Sequence, residues 1–315
     1  MRHEGPVRMR VAAIDCGTNS IRLLVADSVG GVLHEVDRRL TIVRLGQGVD
    51  ATGMFAADAL RRTFAACDDY AAAIQEYGAD RIRFVATSAS RDAGNRDEFF
   101  AGVRDRLGVD PEIIDGAVEA ELSFRGATSG LAELHVEAPY LVVDIGGGST
   151  ELVLGDRTGV RQAQSLDMGS VRMTERYLRS EPVTADEVAT AAADIDSLLE
   201  ATTVPLDQAR SLVGVAGTVT TLAAVALELP EYDRSRVHHA RIEGDRLTET
   251  ARWLVSSTRA ERAARKAIHP GRVDVIGAGA LILERVHRRT AAYLETDELL
   301  VSEHDILDGV AQSLV

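Results

Sequence analysis

The feature that most constrains the fold is a repeat within the chain. Val11-Ala12-Ala13-Ile14-Asp15 reads as a buried strand, Cys16-Gly17-Thr18-Asn19-Ser20 as a turn, and Ile21-Arg22-Leu23-Leu24-Val25-Ala26 as a returning strand. The pattern restarts 129 positions later. Leu141-Val142-Val143-Asp144 leads into Ile145-Gly146-Gly147-Gly148-Ser149 and then Thr150-Glu151-Leu152-Val153-Leu154, so that Asp15 matches Asp144, Gly17 matches Gly146 and Ser20 matches Ser149. Arg22 falls on Glu151. One hairpin used twice implies two similar α/β domains, each opening on antiparallel strands and closing with helices. The expected domains are 1–126 and 127–299, with 300–315 packing back on the first and the site between the two.

The remaining pattern fills in both halves. Residues 31–38 and 40–45 read as a third and a fourth strand, residues 56–77 as an Ala-rich helix, and 81–86 as a strand with Thr87-Ser88 starting the next helix. Another helix starts at Gly116. Further on, Thr184 with Glu187 makes a capping box for a helix running to about residue 199, and residues 211–216 form a strand ahead of Gly217-Thr218. Gly277 and Gly279 suit close helix packing. With no long Pro/Gly/Ser tether, the expected domain junction is a compact hinge at 126–130.

Composition then removes whole classes of function. A formal net charge of −14 over 315 residues argues against a nucleic-acid binder or a protein held on an anionic membrane. Any phosphate-rich ligand must be held locally. The single lysine, Lys266, lies between Arg265 and Ala267, so no Walker-type phosphate loop exists, and neither a dinucleotide fingerprint nor His-Glu-x-x-His occurs. Cys16 and Cys67 make no disulfide framework and read as small buried hydrophobes. The basic leader Met1 to Arg10 has no apolar stretch behind it, and no run approaches a membrane span, so the expected location is the cytoplasm.

The residues that can carry chemistry cluster around the repeated turns. A Gly-rich turn between strands presents backbone N–H groups to an anion, and Gly146-Gly147-Gly148-Ser149 and Gly17-Thr18-Asn19-Ser20 both have this character. Two such nests could grip one polyanion. Asp15, Asp144 and Glu151 are carboxylates placed to hold a Mg²⁺, which a polyphosphate beside them would require. Arg22 and Arg91 are the basic candidates, the latter where a guanidinium could join helix-end N–H groups on phosphate. Glu119 and Glu121 open a helix, where a carboxylate either steadies the helix end or serves as a general base. Between 252 and 272, Arg252, Arg259, Arg262, Arg265, Lys266 and Arg272 face only Glu261, a basic stretch fitted either to a long polyanion or to solvent.

Taken in order, Ala13-Ile14-Asp15-x-Gly17-x-Asn19-Ser20-x-Arg22, Ala86-Thr87-Ser88-Ala89-x-Arg91-x-Ala93-x-Asn95, Asp144-Ile145-Gly146-Gly147-Gly148-Ser149-Thr150-Glu151, Gly214-x-Ala216-Gly217-Thr218-x-Thr220 and His269-Pro270-x-Arg272-x-Asp274 resemble the exopolyphosphatase/guanosine-pentaphosphate phosphatase family. The resemblance spans nearly the whole chain. It implies two ribonuclease-H-like domains of the actin/Hsp70/sugar-kinase superfamily flanking a cleft, in the short two-domain form. It implies release of orthophosphate from the end of inorganic polyphosphate with Mg²⁺, or removal of the 5′-terminal phosphate of guanosine pentaphosphate, or polyphosphate binding with weak turnover. Glu119 takes the place of the family's catalytic glutamate, Gly217 and Thr218 join the phosphate-binding set, and a homodimer is suggested. Two positions depart from the family: Val118 replaces the first of a glutamate pair, and Asp308 stands where an arginine is usual.

Overall fold

The computed structural model describes residues 8–315, so most of the basic leader, residues 1–7, lies outside the described residues. The chain forms two compact units, one of residues 8–126 with Ile306–Val315 and the other Ala127–Asp305. Among the described residues no helix is long and apolar enough to cross a membrane.

The first unit is built on a sheet of order β3-β2-β1-β4-β5. Its strands are β1 (Arg8–Cys16), β2 (Ser20–Val29), β3 (Val32–Ile42), β4 (Arg81–Ala86) and β5 (Glu112–Ile113), carried with α1 (Val49–Thr52), α2 (Ala57–Tyr77), α3 (Ser88–Asp92), α4 (Arg96–Leu107) and α5 (Gly116–Thr128). β1 to β3 run as an antiparallel meander, while β4 lies parallel to β1 and β5 parallel to β4. This is the ribonuclease-H-like arrangement. The expected third and fourth strands are one continuous β3, because Arg38 and Arg39 continue the ladder against β2 and a bulge opposite Val25/Ala26 absorbs Val36. No glycine or proline interrupts that stretch.

β1 is apolar from Val11 to Ile14 because both of its faces are covered there. Ala12, Ile14 and Cys16 pack with Leu60, Tyr70, Phe84 and Phe99 beneath α2 and α4. Val11 and Ala13 pack with Leu122 of α5 and with Ile306, Leu307 and Val310 of the C-terminal helix α13 (Ile306–Gln312). Both cysteines are free thiols within this unit, and burial pushes Cys67 up to about 12 and Cys16 well above its usual value. They stay protonated and inert.

Helix α13 docks so closely that a Cβ on Gly309 would lie 1.9 Å from the Leu122 carbonyl oxygen. Backbone cannot swing aside as a side chain does. Gly309→Ala is therefore expected to destabilise the protein by about 3 kcal/mol, read as a shift of the urea midpoint at unchanged slope. A variant as stable as the parent would show that α13 packs more loosely than this. Beside it, Arg38 binds Asp308 through Nη2–Oδ1 at 2.5 Å and Nη1–Oδ2 at 3.3 Å, so the departure at 308 supplies the acid of an ion pair with β3.

The second unit repeats the plan. Its sheet has the order β10-β11-β9-β6-β7-β8, formed by β6 (Tyr140–Ile145), β7 (Thr150–Asp156), β8 (Gly159–Leu166), β9 (Ser211–Val215), β10 (Arg241–Glu243) and β11 (Glu298–Val301). The helices are α6 (Ser170–Arg176), α7 (Ala185–Glu200), α8 (Ala216–Ala226), α9 (Arg234–Val237), α10 (Gly244–Ser256), α11 (Arg259–Ala263) and α12 (Ile276–Thr290). β6 to β8 form the antiparallel meander, β9 runs parallel to β6, and β11 parallel to β9. The Thr184–Glu187 capping box is present at the start of α7. Gly279 permits close packing on α8, since a Cβ there would fall 2.5 Å from Thr218 Cγ2.

Candidate functional site

In the first unit the carboxyl ends of the parallel strands gather the residues singled out above. β1 runs into the turn at Gly17, β4 into Thr87 and α3, and β5 into Ile114, Asp115 and α5. Thr87 N–H donates to Cys16 O, and Ile114 N–H to Ala86 O, which ties the three connections together. Ligands of open α/β sheets bind at this end of the strands.

The turn itself has a defined polarity. Gly17 N–H donates to Ser20 O at 2.9 Å, while the carbonyl of Thr18 accepts from Gly46 N–H and that of Asn19 from Val43 and Arg44 N–H. Cis peptide bonds among the described residues occur only at Ala138-Pro139 and Glu181-Pro182. In a trans peptide the N–H points opposite to the carbonyl. With the carbonyls held by residues 43–46, the N–H groups of Asn19 and Ser20 are turned the other way.

Glu119 stands in the first turn of α5, whose free amides at Ala117 and Val118 are capped by Asp115 Oδ1 at 3.0 and 2.9 Å. Its side chain is buried, and Arg91 Nη1 donates to Oε2 at 2.6 Å and to the Ile114 carbonyl at 3.0 Å. Glu121 is exposed and reaches Arg125 at 3.4 Å, a helix-surface pair. Of the two glutamates, only Glu119 shares Arg91. Val118 is 37% exposed at the same helix start.

The second unit carries the same turn with the same hydrogen bond, Gly146 N–H to Ser149 O at 3.0 Å. Here α6 takes the carbonyls. Ser170 N–H donates to Gly146 O, Val171 and Arg172 N–H to Gly147 O, and Arg172 Nε to Gly148 O at 2.7 Å. The N–H groups of Gly147, Gly148 and Ser149 therefore face away from α6. Gly169 makes the approach feasible, because a Cβ at that position would lie 2.4 Å from Gly147 C and O.

Next to this turn, β9 ends at the start of α8, where Ala216 takes a left-handed φ of 66° before Gly217 and Thr218 enter the first helical turn. Arg272 Nη1 donates to Gly217 O at 2.7 Å and to Thr221 Oγ1 at 3.2 Å. A Cβ on Gly217 would meet that guanidinium at 2.0 Å. Tyr232 is part of the same surroundings: burial first, then the Glu303 carboxylate that it hydrogen-bonds, push its phenol well up.

The three carboxylates considered for a metal do not stand alike. Asp15 pairs across the hairpin with Arg22, whose Nη2 and Nε donate to Oδ2 at 2.5 and 3.1 Å. Asp144 pairs across the matching hairpin with Glu151. Both are buried, at 6% and 1% exposure, and Glu151 also accepts from Ser165 Oγ at 2.7 Å. Like charges opposed in a sheet repel, and a cation between them would relieve that repulsion; at the matching position of the first hairpin Arg22 stands opposite Asp15. No group of three His, Cys, Asp or Glu fit to hold a metal occurs among the described residues. Two carboxylates are nevertheless a usual protein share for a Mg²⁺ that completes its shell with phosphate and water.

The first unit thus brings together Asp15, Gly17 to Ser20, Arg22, Arg91 and Glu119, and the second brings together Asp144, Gly146 to Ser149, Glu151, Gly217 and Thr218. Arg172, Ser165, Tyr232 and Glu303 were not expected. Long-range contacts of this kind leave no trace in local spacing. The Asp15–Arg22 pair is different, since both residues lie equally far from the turn and a hairpin must place them opposite.

A doubled ribonuclease-H-like core with amide-lined turns at its strand ends defines a phosphate-handling α/β protein. The chain belongs to the Ppx/GppA phosphatase family, which it matches over residues 24–315. It is 52% identical to Exopolyphosphatase 2 of Mycobacterium tuberculosis across 97% of this chain and 98% of that protein. The crystal structure of an exopolyphosphatase-like protein superposes with a TM-score of 0.94 at 45% identity, covering 98% of each chain. The Ppx/GppA enzyme of Aquifex aeolicus gives 0.80 at 32% identity, covering 98% of this chain and 100% of the other.

Proposed function

We propose that this protein is an exopolyphosphatase that hydrolyses the terminal phosphoanhydride of inorganic polyphosphate in the cytoplasm, as a Mg²⁺-dependent enzyme and as a homodimer. One observation carries the reading: a buried carboxylate, a guanidinium and an amide-lined turn meet at one end of one sheet. The similarity to Exopolyphosphatase 2 supports the choice of substrate.

In this reading Glu119 orients a water and takes its proton as the oxygen attacks the terminal phosphorus. The anhydride P–O bond breaks, orthophosphate leaves, and the shortened chain keeps the bridging oxygen. Arg91, already within reach of Glu119, binds the phosphoryl oxygens that gain charge. The amides of Asn19 and Ser20 hold phosphate in the first unit and those of Gly147 to Ser149, with Gly217 and Thr218, hold phosphate in the second, the Gly17 and Gly146 amides being engaged in closing their turns. Arg22 stays engaged by Asp15 and adds its positive charge to the field at the same turn. Asp144 and Glu151 would hold Mg²⁺, which when bound neutralises phosphate charge. Positioning and charge supply most of the rate, as phosphoryl transfer requires little covalent help.

The test is phosphate release from polyphosphates of several lengths beside guanosine pentaphosphate, with Mg²⁺ and with a chelator. Release from polyphosphate that stops on chelation is the expected result. Faster release from guanosine pentaphosphate would reassign the substrate, and binding without release at any length would make the protein a polyphosphate carrier.

A further inference from the structure

The basic stretch at 252–272 is a folded surface of the second unit, and its acids are spent locally. Thr258 opens α11 with a capping box in which the Glu261 carboxylate accepts from Thr258 N–H at 2.7 Å and from its hydroxyl at 2.8 Å. Those bonds hold Glu261 below the usual carboxylate range. Glu181 accepts from Arg259 N–H at 2.5 Å and lies 3.8 Å from Arg262 Nη2. Arg262 is buried, donates to Leu254 O at 3.1 Å and fastens α11 to α10.

The side chains of Arg252, Arg259, Arg265 and Lys266 are exposed and form no ion pair with a described residue. Arg265 lies over the Trp253 ring at 5.0 Å, which stiffens one of the four. The stretch also has a direction. It ends at Arg272, whose side chain binds the Gly217 carbonyl at the start of α8, and six residues of chain span at most about 20 Å, so the Lys266 backbone is within that distance of the Arg272 backbone. On a protein of net charge −14, a surface of uncompensated cations leading to an amide-lined helix start suits a linear polyanion.

We infer that Arg252, Arg259, Arg265 and Lys266 hold the part of a long inorganic polyphosphate that lies beyond the phosphates seated at Gly217 and Thr218. The inference rests on the polyphosphate reading above. It adds a preference for long chains, because a short polyphosphate or guanosine pentaphosphate ends before it gains these contacts.

The test compares two variants of the full chain that lose equal charge: Arg252→Gln/Arg259→Gln/Lys266→Gln, and Arg96→Gln/Arg157→Gln/Arg289→Gln, which alters exposed arginines elsewhere. Thermal unfolding establishes that both are folded. Equilibrium binding of tripolyphosphate, of polyphosphate several hundred units long and of a single-stranded oligonucleotide is measured across a salt series. The first variant is expected to lose roughly tenfold or more in affinity for the long chain, with a shallower salt dependence, as lost phosphate contacts require. Its ratio of long-chain to tripolyphosphate affinity falls, whereas the second variant keeps the parent's ratio. An unchanged ratio in the first variant, or an equal fall in the second, overturns the inference. An oligonucleotide bound as tightly as the long chain, and lost in the first variant alone, overturns it in favour of nucleic acid. Phosphate release from tripolyphosphate is recorded separately, and its absence would count against the hydrolase reading and not against this surface.

Discussion

Glu119→Gln is expected to lower kcat for polyphosphate by about 10²- to 10⁴-fold, the usual contribution of a general base. Glutamine keeps the shape of the side chain, and its amide oxygen still accepts from Arg91, whose Nη1 now lies 2.6 Å from the carboxylate. It cannot take a proton. Removing the negative charge also frees more of the Arg91 field for phosphate, so KM should stay level or fall while kcat collapses. The variant therefore separates proton transfer from binding. A kcat within tenfold of the parent would remove Glu119 from the reaction, and a large rise in KM at unchanged kcat would make it a binding residue.

Gly169→Ala should cost about 10²-fold in kcat/KM without touching a single candidate side chain. A Cβ at 169 would lie 2.4 Å from Gly147 C and O and 2.5 Å from Gly148 N, all of them backbone atoms of the turn whose amides face away from α6. The contact can be relieved only by moving the turn or the start of α6, by about 1 Å. Displacements of that size are enough for such a loss where positioning supplies the rate. Gly46→Ala offers a milder comparison in the other unit, because its nearest contacts are side-chain atoms, Thr18 Cγ2 at 2.3 Å and Ala89 Cβ at 2.9 Å. Steady-state kinetics on both variants, with far-ultraviolet dichroism to confirm the fold, measures the difference. Equal activity in all three proteins would show that the Gly147–Ser149 amides do not hold substrate.

Much of this arrangement was legible in the chain because it is written in short-range periodicity. The repeat at an offset of 129 gave two hairpins, and the structure has them as β1–β2 and β6–β7 with equivalent closing hydrogen bonds. β4 is found at the residues expected of it, and the α7 capping box is complete. What escaped depends on distance in sequence. β3 looks like two strands because its edge position alternates charge with apolar residues, and only its pairing with β2 shows it to be continuous. β10 and β11 are three and four residues long, too short to carry a period, and are strands only because neighbours complete their ladders. Arg91 and Glu119 are 28 positions apart, and Arg272 meets Gly217 across 55. No spacing rule reaches that far.

Helix α13 sets the order in which the polypeptide can mature as it is made. Once residue 126 has emerged, β1 to β5 exist, yet Val11, Ala13, Leu24, Ala26 and Val85 on one face still await Ile306, Leu307, Val310 and Ala311. About 180 residues separate these events, on the order of ten to forty seconds of translation. Throughout that interval the later-made half can close on itself while the earlier-made half displays bare aliphatic surface. The portion translated first is thus finished last, and nascent chains should engage holding chaperones through that face.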